Sequence, residues 1–205
     1  KRLYFDTRLN ERDDIWEDDE EDDGDGDYDD NDGGDNLTRA INRLSRAKGI
    51  EYSIEIIEDS EINAYALPEG KIKITSAAVE QLSEEEIAFL IGHEEAHIDG
   101  KHGQAKMEYL KACAEGFEQI FKDKKSGFFK KALKTAGLAG LTVAGLPLVS
   151  KACEVVADLE GQKRIKDAGY DEEDAGNFFD RIGPREGRYF STHPTPQFRK
   201  KLLKK

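Results

Sequence analysis

The sequence predicts an α+β fold that is mainly helical and contains a small sheet. Three observations predict it. Apolar residues recur at helical spacing over most of the 205-residue chain, residues 52–76 are rich in alternating and β-branched residues, and glycine and proline separate the elements. A chain of this length can bury a core within a single domain.

The first 35 residues differ in composition from the rest. Between Glu11 and Asp35 there are 16 acidic residues and one arginine, which gives −15 of a formal net charge of −13 and leaves +2 for the remainder. Such a segment does not bury enough apolar surface to offset its ordering entropy. We therefore predict an acidic, disordered tail at 1–35 and one domain at 36–205.

Three further roles for the tail stay open, namely binding of calcium, binding of a basic protein, and latency by occupying a cleft in the domain. Its aspartates lack the ligand spacing and the closing glutamate of an EF-hand loop, which disfavours the calcium role. The acidic balance also argues against nucleic-acid binding.

The first elements of the domain have recognisable boundaries. Apolar residues from Leu37 to Leu44 recur at helical spacing and predict a short helix that ends at Gly49. Residues 52–76 follow, and their alternating and β-branched residues predict a small sheet with turns. Ser83 and Glu86 then form a capping box, which predicts the start of the next helix.

The chain beyond Gly103 predicts mostly helices. We place them at about 104–124, 126–136, 150–168, 172–182 and 195–204. The apolar segment 132–149 contains a lysine, three glycines and a proline, and a membrane span needs about 20 apolar residues. We expect this segment to be buried or to line a cleft, and membrane contact is the less favoured alternative.

Three of the four histidines lie within ten positions, in the run HEEAHIDGKH that starts at His93. Successive helical residues turn by about 100°, so His93 and His97 project side by side, and Glu94 lies about 60° further around the helix from His97. Two such imidazoles suit zinc, and the carboxylate can take a proton from a metal-held water. Ordinary core histidines are the alternative. His102 points away from His93 on a continuing helix, so we expect a helix-end histidine that faces the fold.

A later helix offers a third ligand. Glu154 and Asp158 are four residues apart in an apolar setting and lie on one helical face. Glu154 would complete a set of two histidines and one glutamate with an open fourth position, and Asp158 would accept the other ring N–H of a ligand histidine. A solvated polar stripe is the alternative.

With these motifs the sequence resembles the gluzincin metalloendopeptidases that include HtpX, Oma-type and CAAX prenyl proteases. The resemblance covers about residues 37–203 and rests on the ordered motifs NAYALPEGKIKIT, HEEAHIDGKH, SKACEVVAD and STHP. It implies a zincin-like domain with one Zn²⁺ that hydrolyses peptide bonds. It also implies His93, His97 and Glu154 as zinc ligands and Glu94 as general base.

The resemblance further implies how a substrate is held. The backbone around Asn63, Ala64 and Tyr65 would be an edge strand that faces the cleft and pairs with an extended protein or peptide substrate. His193 and Arg199 would be catalytic residues that lie over the cleft, where a cation or N–H donor stabilises the oxyanion.

Function, location and redox state each keep an open alternative. A zinc-containing module that binds substrates for quality control, with latent or no turnover, is the rival function. Because the chain starts at Lys1 rather than Met and soluble relatives commonly work outside the cytoplasm, we expect a periplasmic or secreted protein, with membrane association as the alternative. Cys113 and Cys153 either pair or are both buried thiols.

Overall fold

The computed structural model describes residues 3–6, 33–123, 127–182 and 195–203. Within these ranges the chain forms four strands and seven helices. In chain order they are β1 (Leu3–Asp6), α1 (Gly33–Lys48), β2 (Ser53–Ile57), β3 (Ala64–Ala66), β4 (Lys71–Thr75), α2 (Ser76–Gln81), α3 (Glu84–Asp99), α4 (His102–Lys122), α5 (Phe128–Asp167), α6 (Asp174–Ile182) and α7 (Pro196–Leu203).

The strands form one mixed sheet in the order β1-β2-β4-β3. Strand β2 is antiparallel to β1 and parallel to β4, and β3 is antiparallel to β4. The alternation expected of a half-buried strand is clear in β4, where Ile72 and Ile74 are buried and Lys71 and Lys73 are partly exposed. Strand β3 lies at the edge, which confirms the predicted α+β fold with an edge strand.

Helix α3 lies at the centre of the domain. Its first turn carries the predicted capping box, since the Ser83 hydroxyl accepts from the Glu86 N–H and the Glu86 carboxylate accepts from the Ser83 N–H. Beyond that turn Ile87, Phe89 and Ile91 are completely buried among residues of the sheet and the surrounding helices. Because α3 is packed on several sides, its position is fixed by core packing.

The expectation for the apolar segment 132–149 is wrong about its burial. The helices predicted at 126–136 and 150–168 are parts of one helix, α5, which has 40 residues and also includes this segment. Its Leu133 and Val143 side chains are 77% and 76% exposed, so the segment does not fill the core. By length and composition α5 could cross a membrane, and no residue of its most apolar 18-residue window is buried.

Only part of the predicted acidic tail falls within the described residues. Strand β1 pairs with β2, so residues 3–6 belong to the sheet, and α1 begins at Gly33 instead of Asn36. Disorder of residues 7–32 stays a prediction, because they lie outside the described ranges. Cys113 and Cys153 are buried free thiols.

Candidate active site

The site lies where α5 packs closely against α3. A Cβ atom on Gly161 would lie 3.1 Å from the backbone nitrogen of His93 and 3.3 Å from its Cα, so only glycine permits this approach without a shift. Nearby, Arg164 of α5 donates to the backbone oxygen of Gly92 at 2.8 Å. The close contact therefore fixes the distance between the polar residues of α3 and those of α5.

His93, His97 and Glu154, which the resemblance implies as ligands, converge at this contact. Each offers a ligand atom, and the three atoms lie within 4.8 Å of one another. The His93 Nε2 atom is 3.1 Å from His97 Nε2 and 3.5 Å from a Glu154 oxygen, while His97 Nε2 is 3.4 Å from the other Glu154 oxygen. Two imidazole nitrogens and one carboxylate form a donor set that zinc takes in proteins, so these residues fit one divalent ion.

Burial and neighbouring groups shift the pKa values of the two imidazoles in opposite directions. Burial disfavours the charged form of His93, but hydrogen bonds to Asp158 and Glu154 outweigh burial and raise its pKa to about 9. Burial and the neighbouring His93 lower the pKa of His97 to about 3. The carboxylates beside His93 therefore favour a positive charge at this position.

Asp158 lies behind His93, as predicted. A carboxylate oxygen of Asp158 is 2.9 Å from Nδ1 of His93, so it can accept that N–H and leave Nε2 for a metal. Arg199 of α7 donates to the same carboxylate through Nε at 2.7 Å and Nη2 at 2.5 Å.

The predicted position of Arg199 over the cleft is therefore wrong. Its side chain is 2% exposed and lies behind the ligands, with Nη2 3.3 Å from Nδ1 of His93. A buried guanidinium needs a paired carboxylate, and Asp158 supplies one in two-bond geometry. His193 lies outside the described residues, so its role stays a prediction.

His102 contacts the site, which the sequence reasoning missed. Its Nδ1 is 2.9 Å from Nδ1 of His97. Helix α3 ends at Asp99, and Lys101 adopts a left-handed conformation with φ 49°, which turns the chain back before α4 begins. The glycine at position 100 was the signal, because glycine often follows the end of a helix and a Cβ there would overlap the His102 ring.

Glu94 lies between the ligands and the edge strand. One carboxylate oxygen accepts the backbone N–H of Ala66 at 2.8 Å, and the other is 3.9 Å from Nε2 of His93. Burial raises the pKa of Glu94. The carboxylate is thus held in place by β3 while it faces the same space as the ligand atoms.

Strand β3 leaves part of its backbone on the side away from β4. Hydrogen bonds to β4 from the residues at either end of the strand place the N–H groups of Ala64 and Ala66 on that free side. The Ala64 N–H bonds to the side-chain oxygen of Asn63, and the Ala66 N–H bonds to Glu94. By the same alternation the backbone of Tyr65 faces β4, so of the three predicted residues Ala64 lies best for strand pairing.

Glu95 is the next residue along α3, but it faces away from the ligands. It is 4% exposed and accepts the Tyr52 hydroxyl at 2.5 Å. Lys48 pairs with it, and Nε of Arg164 lies 3.4 Å from it. This second acid therefore belongs to a cluster that joins α1, α3 and α5 and does not enter the site.

These features define a helical domain in which an HExxH motif and Glu154 form a candidate metal site beside an edge strand. The chain belongs to peptidase family M48, whose family model matches residues 34–205.

Two curated relatives bear the name mitochondrial metalloendopeptidase OMA1. The Arabidopsis thaliana protein is 30% identical over 81% of this chain and 34% of its own length. The Schizosaccharomyces pombe protein is 26% identical over 80% of this chain and 50% of its own length. The chain thus spans half or less of the length of these relatives. Their names give no support to the expected periplasmic or secreted location.

Proposed function

We propose that the chain is a zinc-dependent metalloendopeptidase. The observation that carries this proposal is the convergence of His93, His97 and Glu154 within 4.8 Å, from helices that are far apart in sequence. Family membership and the names of the two relatives support the same class of enzyme. In this proposal the three residues hold one zinc ion.

The residues behind the ligands orient the two imidazoles. Asp158 accepts Nδ1–H of His93, and Arg199 holds Asp158 in place through two hydrogen bonds. Nδ1 of His102 lies 2.9 Å from Nδ1 of His97 and can accept its N–H in the same manner. Both ligand rings are thereby kept in the tautomer that leaves Nε2 as a metal ligand.

A zinc ion bound there would supply Lewis-acid chemistry, polarising the substrate carbonyl and making a water molecule more acidic. Glu94 acts as the general base that takes the proton from the attacking water and then passes it to the leaving amine. The Ala66 N–H keeps the carboxylate aimed at the site. Because burial raises its pKa, Glu94 is a better proton acceptor than an exposed glutamate.

An extended peptide is the substrate in this proposal, and it binds along the free side of β3. The Ala64 N–H is available once Asn63 releases it, and the strand ends next to Glu94. Pairing there would place a substrate carbonyl beside the general base and the ligand atoms.

The Glu94→Gln variant tests the proposal. Loss of the base should lower turnover of an unstructured protein substrate by about 10²- to 10⁴-fold, whereas zinc content stays at one per chain because Glu94 is not a ligand. Glu80→Gln, which changes an exposed carboxylate on α2, should leave both quantities unchanged.

Two results of this experiment would contradict the proposal. Equal cleavage by wild type and Glu94→Gln would exclude Glu94 as the base. A zinc-loaded wild type that binds unfolded proteins without cleaving them would instead support the rival function, a substrate-binding module without turnover.

A further inference from the structure

Two polar side chains meet on one face of the edge strand β3. Side chains two residues apart point to the same face of a strand, so Asn63, which directly precedes β3, and Tyr65 lie on one face. Tyr65 is 43% exposed, whereas Ala64 between them is buried on the other face. Nδ2 of Asn63 donates to the Tyr65 hydroxyl at 2.8 Å. The polar pair therefore lies at the edge where the proposed substrate binds.

The Asn63 amide also covers the free side of the strand. Its Oδ1 accepts the Ala64 N–H at 2.9 Å. This contact fixes the orientation of the amide, because only the oxygen can accept from an N–H, and the amide nitrogen is then left for Tyr65. The other outward N–H of β3, that of Ala66, donates to Glu94. Both outward N–H groups of the strand are thus bound by side chains of the protein itself.

The main chain of Asn63 is held in place, so its side chain is the part that can move. The Asn63 N–H donates to the Thr75 hydroxyl oxygen at 3.0 Å, and the Asn63 carbonyl oxygen accepts the Thr75 N–H at 3.0 Å. Thr75 is completely buried where β4 meets α2. Uncovering the Ala64 N–H therefore needs rotation about the side-chain bonds of Asn63 and no movement of the strand.

We propose that Tyr65 is a positioning residue that holds the Asn63 amide over the Ala64 N–H and thereby weakens the binding of an extended peptide. A carbonyl oxygen of the peptide must displace Asn63 Oδ1 before it can accept this N–H. One neutral hydrogen bond replaces another in this exchange, so pairing at Ala64 adds less affinity than pairing with a free donor would. The inference rests on the proposed peptidase function.

The cap has a use in the absence of substrate. Free N–H groups on an edge strand are a template for pairing with strands of other molecules. Because Asn63 and Glu94 bind the two outward N–H groups of β3, the free protein offers neither of them to such a strand. A peptide that binds productively gains contacts beyond Ala64, and these offset the loss of the cap.

Steady-state cleavage of an unstructured, uncharged peptide tests the proposal. Tyr65→Phe, which removes only the hydroxyl, and Asn63→Ala, which removes the cap, should each lower KM by about 2- to 10-fold. Neither should change kcat by more than about twofold, because the cap opposes substrate and transition state equally.

A double-variant cycle separates this role from a merely structural one. If Tyr65 acts through Asn63, Tyr65→Phe should have no further effect on KM in an Asn63→Ala background. Asn63→Asp should have the opposite effect and raise KM, because a carboxylate is a stronger acceptor for the Ala64 N–H than an amide oxygen.

Hydrogen exchange of the free protein gives a second readout that needs no cleavage. The Ala64 amide should exchange about 2- to 10-fold faster in Tyr65→Phe and in Asn63→Ala than in the wild type, after correction for the intrinsic rate of each sequence.

Matched controls make the same kinds of change elsewhere. Tyr109→Phe removes a hydroxyl that donates to the backbone oxygen of Leu141, and Gln81→Ala removes an exposed amide at the end of α2. Both controls should keep the wild-type KM and the wild-type exchange rate at Ala64.

Two results would overturn the proposal. One is a wild-type KM and a wild-type Ala64 exchange rate in both Tyr65→Phe and Asn63→Ala. The other is a higher KM in Asn63→Ala, which would make the amide a substrate contact instead of a cap. Absence of cleavage by the wild type would contradict the proposed function, and the exchange rates would then decide alone whether Tyr65 and Asn63 cap the strand.

Discussion

The contact between His97 and His102 can be broken by two unrelated substitutions. His102→Ala removes the acceptor, and Gly100→Ala leaves every polar group in place but puts a Cβ where the His102 ring lies. Gly100 has ordinary helical angles, φ −74° and ψ −5°, so alanine causes no backbone strain there. Each variant should weaken zinc binding by about 10- to 100-fold, because the His97 ring loses its orienting partner.

Competition with a chelator measures this affinity without any activity assay. Gly103→Ala is the matched control, since nothing lies within 4 Å of a Cβ at that position, and it should bind zinc as the wild type does. Wild-type zinc affinity in both His102→Ala and Gly100→Ala would show that His102 does not position the ligand.

Glu84 gives a pH-dependent prediction away from the metal centre. Burial alone would raise its pKa, but hydrogen bonds from Tyr170, Arg39 and Arg43 outweigh burial and hold the pKa below its usual value of 4.5. A group with a lowered pKa in the folded state stabilises the fold above its unfolded pKa, and this contribution is lost as pH falls through the folded pKa.

Glu84→Gln should therefore lower the free energy of unfolding by about 1–2 kcal/mol at neutral pH. This difference from wild type should shrink as the pH falls below 4.5, as measured by urea unfolding at several pH values. The exposed control Glu80→Gln should show little difference at any pH. A Glu84→Gln difference that is the same at acidic and neutral pH would contradict the assigned hydrogen bonds.

The candidate ligands could be identified at the residue scale, but their supporting residues only in part. Helical spacing, which is a local property, places His93 with His97 and Glu154 with Asp158 on shared faces, and the resemblance to a family implied that the two pairs meet. The position of Arg199 depends on where α7 packs against α5, and no local pattern encodes that.

At the scale of elements, the close packing of α5 on α3 sets the distance between the ligands. Gly161→Ala would press a Cβ against the backbone of His93 and should lower the free energy of unfolding by about 1–3 kcal/mol. Zinc affinity should fall as well, because Glu154 moves with α5. Thermal unfolding and chelator competition measure the two effects.

Gly137→Ala is the control for this prediction, because it lies in the same helix with nothing within 4 Å of the added Cβ. It should stabilise the protein by up to about 1 kcal/mol, since alanine favours helices over glycine. Equal stability changes in the two variants would mean that the α3–α5 contact is not tight at Gly161.

The boundaries of elements could be predicted where a side chain marks them. The capping box at Ser83 marked the start of α3, and Gly49 follows α1 closely. The continuity of α5 through Gly137 and Pro147 could not be predicted, because both residues disfavour a helix and propensity alone argues for a break. Helix α4 packs against this part of α5 through Tyr109 and Gly116, and that contact is not local in sequence.

At the scale of the whole molecule, charge and apolar surface are distributed unevenly. The acidic residues concentrate before the domain, whereas large apolar side chains of α5 are exposed, among them Leu133, Leu141, Val143 and Leu148. Composition alone could predict the first feature. Exposure of these α5 side chains could not be predicted, because the same apolar pattern fits a buried helix.

The most direct test of the central claim is anomalous diffraction at the zinc absorption edge from crystals of the zinc-loaded chain. One peak in coordination contact with Nε2 of His93, Nε2 of His97 and the carboxylate of Glu154 is the predicted result. A zinc peak away from these three atoms, or none in zinc-loaded crystals, would contradict the assignment of these residues as the metal ligands.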